Sequence, residues 1–171
     1  MGGSQSHNEI TSEGRMDGPI KTMSIAELNA RVGSQMGVSD WFVLEQKTID
    51  AFADLTQDHY FIHIDPQRAA AETPFGGTIA HGFLTMSMLA VMAYQACPVV
   101  ESSKTNVNYG FNKLRFVAPV RSGSRIRGRF VLKNFEVHPS GRWQSVYDVK
   151  VEIEGETKPA LVAEWIGAGF F

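Results

Sequence analysis

Asp58 and His63 stand five residues apart in the run Asp58-His59-Tyr60-Phe61-Ile62-His63-Ile64-Asp65-Pro66, and Ile79-Ala80-His81-Gly82 follows a short way on. A carboxylate and a neutral imidazole converging on one water can move its protons at physiological pH, because an unperturbed imidazole titrates at about 6.5. Positioned proton transfer of this kind contributes roughly 10²–10⁴-fold to a rate. Gly82 opens a long apolar stretch, and a helix start presents free amides and a positive dipole end to a developing oxyanion. The combination suits proton chemistry beside a carbonyl. Spacing alone leaves a second reading open, in which Asp58 caps a helix end, His63 packs in the core and Gly82 serves a turn.

Other chemistries find less in the chain. His59 and His63 are four apart and His81 could approach them, but zinc needs three or four ligands of defined type. No glutamate lies inside the histidine pair as in the zinc-protease helix motif, so no metal is expected. There is no G-x-S-x-G elbow, no G-x-x-x-x-G-K loop and no G-x-G-x-x-G turn, which leaves serine hydrolase, P-loop and nicotinamide readings without support. Arg125, Arg127 and Arg129 alternate with Ile126, Gly128 and Phe130, so a strand there would put three guanidinium groups on one face. They could meet phosphates or form a solvated outer face.

The elements that must position these residues can be read from pattern. Ser24 and Glu27 form a capping box for a short helix to Arg31. Gly33 to Gly37 breaks it, and Trp41 to Leu44 reads as a strand. Thr48 is placed to cap a helix with Ile49, Phe52, Ala53 and Leu55 on one apolar face, running straight into Asp58. Asp65-Pro66 signals a new helix start. Gly82 to Ala96 is almost wholly apolar and predicts one central helix buried on all sides. It is too short for a membrane, which takes about 20 residues. Val107–Val117, Arg125–Val137, Arg142–Glu154 and Ala160–Phe170 then read as consecutive strands separated by turns. The expected architecture is α+β, an antiparallel sheet wrapped around a long central helix.

The chain has 171 residues and a net charge of −2, which fits one domain and argues against a nucleic-acid surface. Its single cysteine, Cys97, cannot form an internal disulfide, so a reducing cytoplasm is expected. At the end of an apolar helix, Cys97 is expected to be a buried, inert thiol. Residues 1–22 are polar and rich in glycine and serine, and are read as a flexible leader before a domain over 23–171. The leader lacks the apolar core of a signal peptide. Met1-Gly2-Gly3-Ser4-Gln5-Ser6 fits only the loose myristoylation pattern, and Met16 or Met23 could serve as the start.

Three segments carry a resemblance. Phe52-Ala53-Asp54-Leu55-Thr56-Gln57-Asp58, His63-Ile64-Asp65-Pro66 and Phe75-Gly76-Gly77-Thr78-Ile79-Ala80-His81-Gly82-Phe83-Leu84 resemble the hydratase motif of the MaoC-like dehydratases, (R)-specific enoyl-CoA hydratases of the hot-dog fold. With Asn108-Tyr109-Gly110-Phe111 downstream, the pattern is most similar to the nodulation-protein-N-like branch. It covers about Gly37 to Phe170. The resemblance implies a single hot-dog domain in which Asp58 and His63 activate water for reversible addition to a trans-2-enoyl-CoA, giving an (R)-3-hydroxyacyl product. It implies that the Gly82 amide holds the thioester oxygen and that Ile79, Ala80 and His81 line the site. Val107, Asn108, Tyr109 and Gly110 would border the acyl or pantetheine channel. The expected partners are an acyl-CoA thioester and a second copy of the chain, with no cofactor, since coenzyme A belongs to the substrate. A hot-dog thioesterase and a non-catalytic acyl-CoA-binding subunit are the alternatives. Tyr60-Phe61 stands where many members carry Asn-Pro, and Ala90 where some carry a serine, with Ser87 one helical turn earlier.

Overall fold

The computed structural model describes residues 21–171. The expected leader lies outside them except for its last two residues, as does the acylation pattern. The chain enters through a short strand β1 (Thr22–Met23) and a helix α1 (Ile25–Ala30), which Ser24 and Glu27 cap reciprocally as expected. Leu28 anchors α1 in the core, at 1% exposure.

One antiparallel sheet dominates the molecule. Its strands are β2 (Gln35–Val38), β3 (Phe42–Val43), β5 (Thr105–Phe116), β6 (Arg125–Val137), β7 (Arg142–Ile153) and β8 (Leu161–Phe170). They lie in the order β2-β6-β7-β8-β5, with β3 also beside β6. A separate strand β4 (Val99–Val100) pairs in parallel with β1. The four long strands fall within two residues of their expected bounds. On β6 the buried positions step by two through Ile126, Gly128, Phe130 and Leu132, then resume at Phe135. The break coincides with a register shift between Leu132 and Asn134, where a bulge inserts one residue and resets the alternation.

The sequence reading of Gly33 to Gly37 as a simple break is corrected: it holds β2. The strand needs its glycine because a Cβ on Gly37 would stand 2.2 Å from the Ala96 carbonyl oxygen, where the central helix ends against the sheet.

That central helix is two segments, α5 (Gly82–Ser87) and α6 (Leu89–Ala96), rather than one. Ser87 Oγ donates to the Phe83 carbonyl at 2.8 Å, a back-bond that bends helices. The turn falls at the next residue, Met88. Leu84, Leu89, Met92 and Ala96 pack into the core with Phe130, Leu132 and Leu161. The helix is not buried all round, however. Phe83 and Tyr94 lie about three turns apart on one face and are 63% and 69% exposed.

The arginine row on β6 faces outward and is already partnered. Arg127 and Arg129 reach Glu152 at 2.7 and 2.9 Å, and Arg125 reaches Glu154 at 2.9 Å. Trp41 lies under the Arg127 guanidinium, 4.4 Å from ring centre to Cζ. These donors are engaged by the neighbouring strand β7. Cys97 is a free thiol whose pKa burial pushes up to about 12. Among the described residues, no helix is long and apolar enough to cross a membrane.

Candidate active site

Three helices between β3 and α5 build the site: α2 (Gln46–Thr56), α3 (Phe61–Ile64) and α4 (Pro66–Glu72). α2 starts at Gln46 behind Glu45, two residues before the expected Thr48 cap. Its core face carries Ile49 and Ala53, both fully buried, but Leu55 points to solvent at 81% exposure. A helix repeat places 49, 52, 53 and 56 together, which leaves Leu55 off the apolar face expected to include it. Gln57 ends α2 in the left-handed region, at φ 60°. Its side-chain amide donates to the Asp54 carbonyl at 2.7 Å, meeting one of the free carbonyls at the helix end. The turn delivers Asp58 to an exposed position beside α3.

α3 is a single turn that the sequence did not announce, and it carries His63 inward to 8% exposure. Asp65 closes it and then caps α4, accepting from the Arg68 amide at 3.0 Å, with Pro66 at the first helical position as expected.

Segment 78–80 runs alongside as an extended strip. Ile79 donates its amide to the Ile62 carbonyl at 3.0 Å, and its carbonyl accepts from His63 Nδ1 at 2.7 Å. On the other side, Ala80 donates to the Val120 carbonyl and Ser122 to the Thr78 carbonyl. A carbonyl only accepts, so His63 carries its proton on Nδ1 and leaves the Nε2 lone pair free. Burial is the main influence on this imidazole and lowers its pKa. The Ile79 carbonyl bond opposes the shift, His81 adds to it, and Asp58 opposes it more weakly. His63 is thereby held as a neutral base.

Gln46 ties the pieces together and was not singled out from the sequence. Its amide nitrogen donates to the His63 carbonyl at 2.7 Å and to Asp50 at 2.8 Å, while its oxygen accepts from Thr78 Oγ1 at 2.5 Å. A glutamine at the first position of a helix gives no sequence signal, because its partners lie 17 and 32 residues away.

His81 stacks on His63, with ring centroids 3.7 Å apart and planes 26° apart. Its Nε2 donates to the Asp58 carbonyl at 3.0 Å and stands 4.0 Å from the Asp58 carboxylate. One ligand-type atom from each of Asp58, His63 and His81 lies within 4.8 Å of the others. His59, the residue considered with them for a metal, turns away to Asp54 at 2.9 Å. For a metal to bind this trio through His81 Nε2, it would have to displace the bond to the Asp58 carbonyl.

Gly82 follows His81 at the start of α5, and its amide has no acceptor among the described residues. The ring of Phe116 lies against its Cα: an added Cβ would meet ring carbons at 3.0–3.1 Å. Ile79, Ala80 and His81 are 8%, 5% and 2% exposed, so they back the site from within the protein. Val107, Asn108, Tyr109 and Gly110 are placed differently. They lie on the same strand as Phe116 but six to nine residues away, about 20–30 Å at a strand's rise. One chain by itself does not bring them to Asp58 and His63. Ser87 is on the exposed side of α5, and Ala90 is half-buried.

With this geometry in place, similarity to known proteins decides the family. The MaoC like domain matches residues 27–155. The chain belongs to the MaoC-like family. Two relatives each cover most of this MaoC-like chain. Nodulation protein N of Rhizobium leguminosarum bv. viciae is 49% identical over 144 residues, 84% of this chain and 89% of that protein. The 3-hydroxyacyl-thioester dehydratase Z of Mycobacterium tuberculosis is 47% identical over 143 residues, 84% of this chain and 93% of that protein. Among solved structures, the MaoC-like dehydratase from Rhodospirillum rubrum superposes with TM-score 0.67 at 20% identity, covering 81% and 92% of the two chains. The (R)-hydratase from A. caviae involved in PHA biosynthesis gives 0.61 at 22%, covering 80% and 94%. These neighbours establish the hot-dog fold for this MaoC-like chain, with its antiparallel sheet packed on the central helix.

Proposed function

We propose that the protein is a hydro-lyase that reversibly adds water to a trans-2-enoyl-CoA, giving the (R)-3-hydroxyacyl-CoA. The observation that carries the reading is the pairing of a neutral, Nδ1-protonated His63 with Asp58, close enough to share one water. Two hydrogen bonds of about 2.8 Å span up to about 5.6 Å, and the ligand-type atoms of the cluster lie within 4.8 Å of one another. His63 Nε2 takes a proton from that water as its oxygen bonds to the β-carbon. Charge moves onto the thioester oxygen, which the free Gly82 amide meets, and the α-carbon is protonated from the dyad. Proton and electron pair balance within water and substrate, so the step calls for no metal and no redox cofactor. The dehydratase named among the relatives and the (R)-hydratase among the structural neighbours support the reaction class.

The working unit in this reading is a homodimer. β5 is a sheet edge, and Val107, Tyr109 and Phe116 on it are 48%, 58% and 45% exposed, with the uncovered Phe83 5.9 Å from Phe116. Two copies pairing edge to edge about a twofold axis cover this face. Antiparallel pairing of β5 with its copy runs the Val107–Gly110 stretch of one subunit toward the Phe116 end of the other.

The test is crotonyl-CoA, followed by enoyl absorbance and free thiol together. Enoyl loss without thiol release is expected, and Asp58→Asn and His63→Gln each lower turnover at least 10²-fold in a folded dimer. Thiol release would instead identify a thioesterase. Full activity in both variants would remove the dyad from the mechanism.

A further inference from the structure

We propose that His81 is the positioning residue of this site, setting both members of the dyad at once through a fixed Nε2–H tautomer. The proposal rests on the Asp58–His63 reading above and extends it to a third residue.

The ring is 2% exposed, and its Nε2 lies 3.0 Å from the Asp58 carbonyl oxygen. An oxygen of that kind offers no proton, so Nε2 carries the hydrogen and Nδ1 is left with a lone pair. That Nδ1 is buried without a hydrogen-bond partner, alone among the described side chains. Buried polar atoms are nearly always satisfied, and an exception needs a reason.

Helix capping does not supply one. His81 occupies the N-cap of α5, yet its side chain accepts no amide there. Serine, threonine, aspartate or asparagine would cap that end better. The ring instead lies between Phe52, 5.1 Å away, and His63, 3.7 Å away and nearly parallel. Position 81 therefore needs two things in one side chain: a flat face against the base and a donor four atoms out from the Cα. A histidine in the Nε2–H form has both, and the stranded Nδ1 is the consequence.

The hold on Asp58 goes through its backbone. Asp58 directly follows the left-handed Gln57 and is exposed, and its carboxylate is 4.0 Å from Nε2, beyond a hydrogen bond. The carbonyl bond to His81 is what fixes where this residue leaves α2. Loss of that bond frees the carboxylate from the base even though neither dyad residue has changed.

Two variants and one spectrum test the proposal. His81→Phe keeps the flat ring and loses the donor, so kcat on crotonyl-CoA should fall about 10–100-fold with KM within about twofold. His81→Gln restores the donor at the same reach without the flat face, so kcat should recover in part, at least about threefold above His81→Phe and still below the parent. In the intact protein labelled with ¹⁵N-histidine, long-range ¹H–¹⁵N correlation should show His81 protonated at Nε2 at neutral pH. A parental kcat in His81→Phe, a His81→Gln kcat no higher than that of His81→Phe, or an Nδ1–H tautomer would each overturn the proposal. If His81→Phe does not fold, the tautomer decides. Asp58→Asn and His63→Gln separate the two levels. If they retain activity, the dyad reading fails; if they are inactive while His81→Phe is not, only the positioning role fails.

Discussion

Gln46 offers the sharpest stability test of how the site is held together. Gln46→Leu keeps the side chain's approximate size and removes three hydrogen bonds. The bond to Asp50 is solvent-exposed and its loss costs little, because water replaces the donor. The other two serve the His63 carbonyl and the Thr78 hydroxyl, on residues that are 8% and 4% exposed. A buried group stripped of its partner costs about 1–3 kcal/mol. Gln46 is half-buried and admits some water, so the lower part of that range applies, roughly 2–3 kcal/mol for the pair. For a chain of this length, that lowers Tm by about 4–12 °C. Thr78→Val removes only one of the two bonds and should cost about 1 kcal/mol. Urea unfolding of both single variants and the double variant closes a cycle, with a coupling of about 1 kcal/mol expected. If the single effects add to within about 0.5 kcal/mol, the Gln46–Thr78 bond does not contribute and Gln46 does not tie segment 78–80 to α2.

Further outcomes follow from the same geometry. Burial lowers the His63 pKa, so the acid limb of kcat/KM should fall below pH 6.5, where the base is lost by protonation. In stability, the unfolded chain takes up a proton near pH 6.5 while the native His63 resists it. Stability from this group therefore rises with pH between the lowered native value and about 6.5, then levels off. His63→Gln should erase that segment in urea titrations between pH 5 and 7.5. Gly82→Ala should fold with stability within about 1 kcal/mol of the parent, since Phe116 is half-exposed and can yield. The new methyl group stands at the start of α5, so kcat/KM should drop about 10–100-fold. Treatment with a strong chelator should leave crotonyl-CoA turnover unchanged, and a loss restored by zinc would assign a metal to Asp58, His63 and His81.

Much of the frame could be read from residue patterns. The strands from Thr105 onward declared themselves through β-branched and aromatic alternation between glycine- and proline-marked turns, and β6 runs over the expected Arg125–Val137. The caps at Ser24 and Asp65 are local chemistry and were legible for that reason. What escaped depends on contacts distant in sequence. β2 hides because it contains Gly37, a residue that reads as a breaker but is required by α6, about 60 residues later in the chain. The split between α5 and α6 falls at Met88, directly after a serine whose hydroxyl can face either solvent or backbone. The arginine row looked available until β7 supplied Glu152 and Glu154. At the site, the residue types at Asp58, His63 and Gly82 suggested the chemistry. The Ile79 carbonyl that selects the tautomer could not be seen in a side-chain pattern, because it is backbone.

A tautomer selected by backbone affects how such a site can change over time. Ile79 serves His63 and Ile62 through its main-chain groups, so replacing its side chain leaves the imidazole's orientation in place. The groups that do chemistry and the surface behind them are therefore under separate genetic control. A lineage can try new residues at position 79, and so remodel the wall behind the base, without first surviving an inactive intermediate.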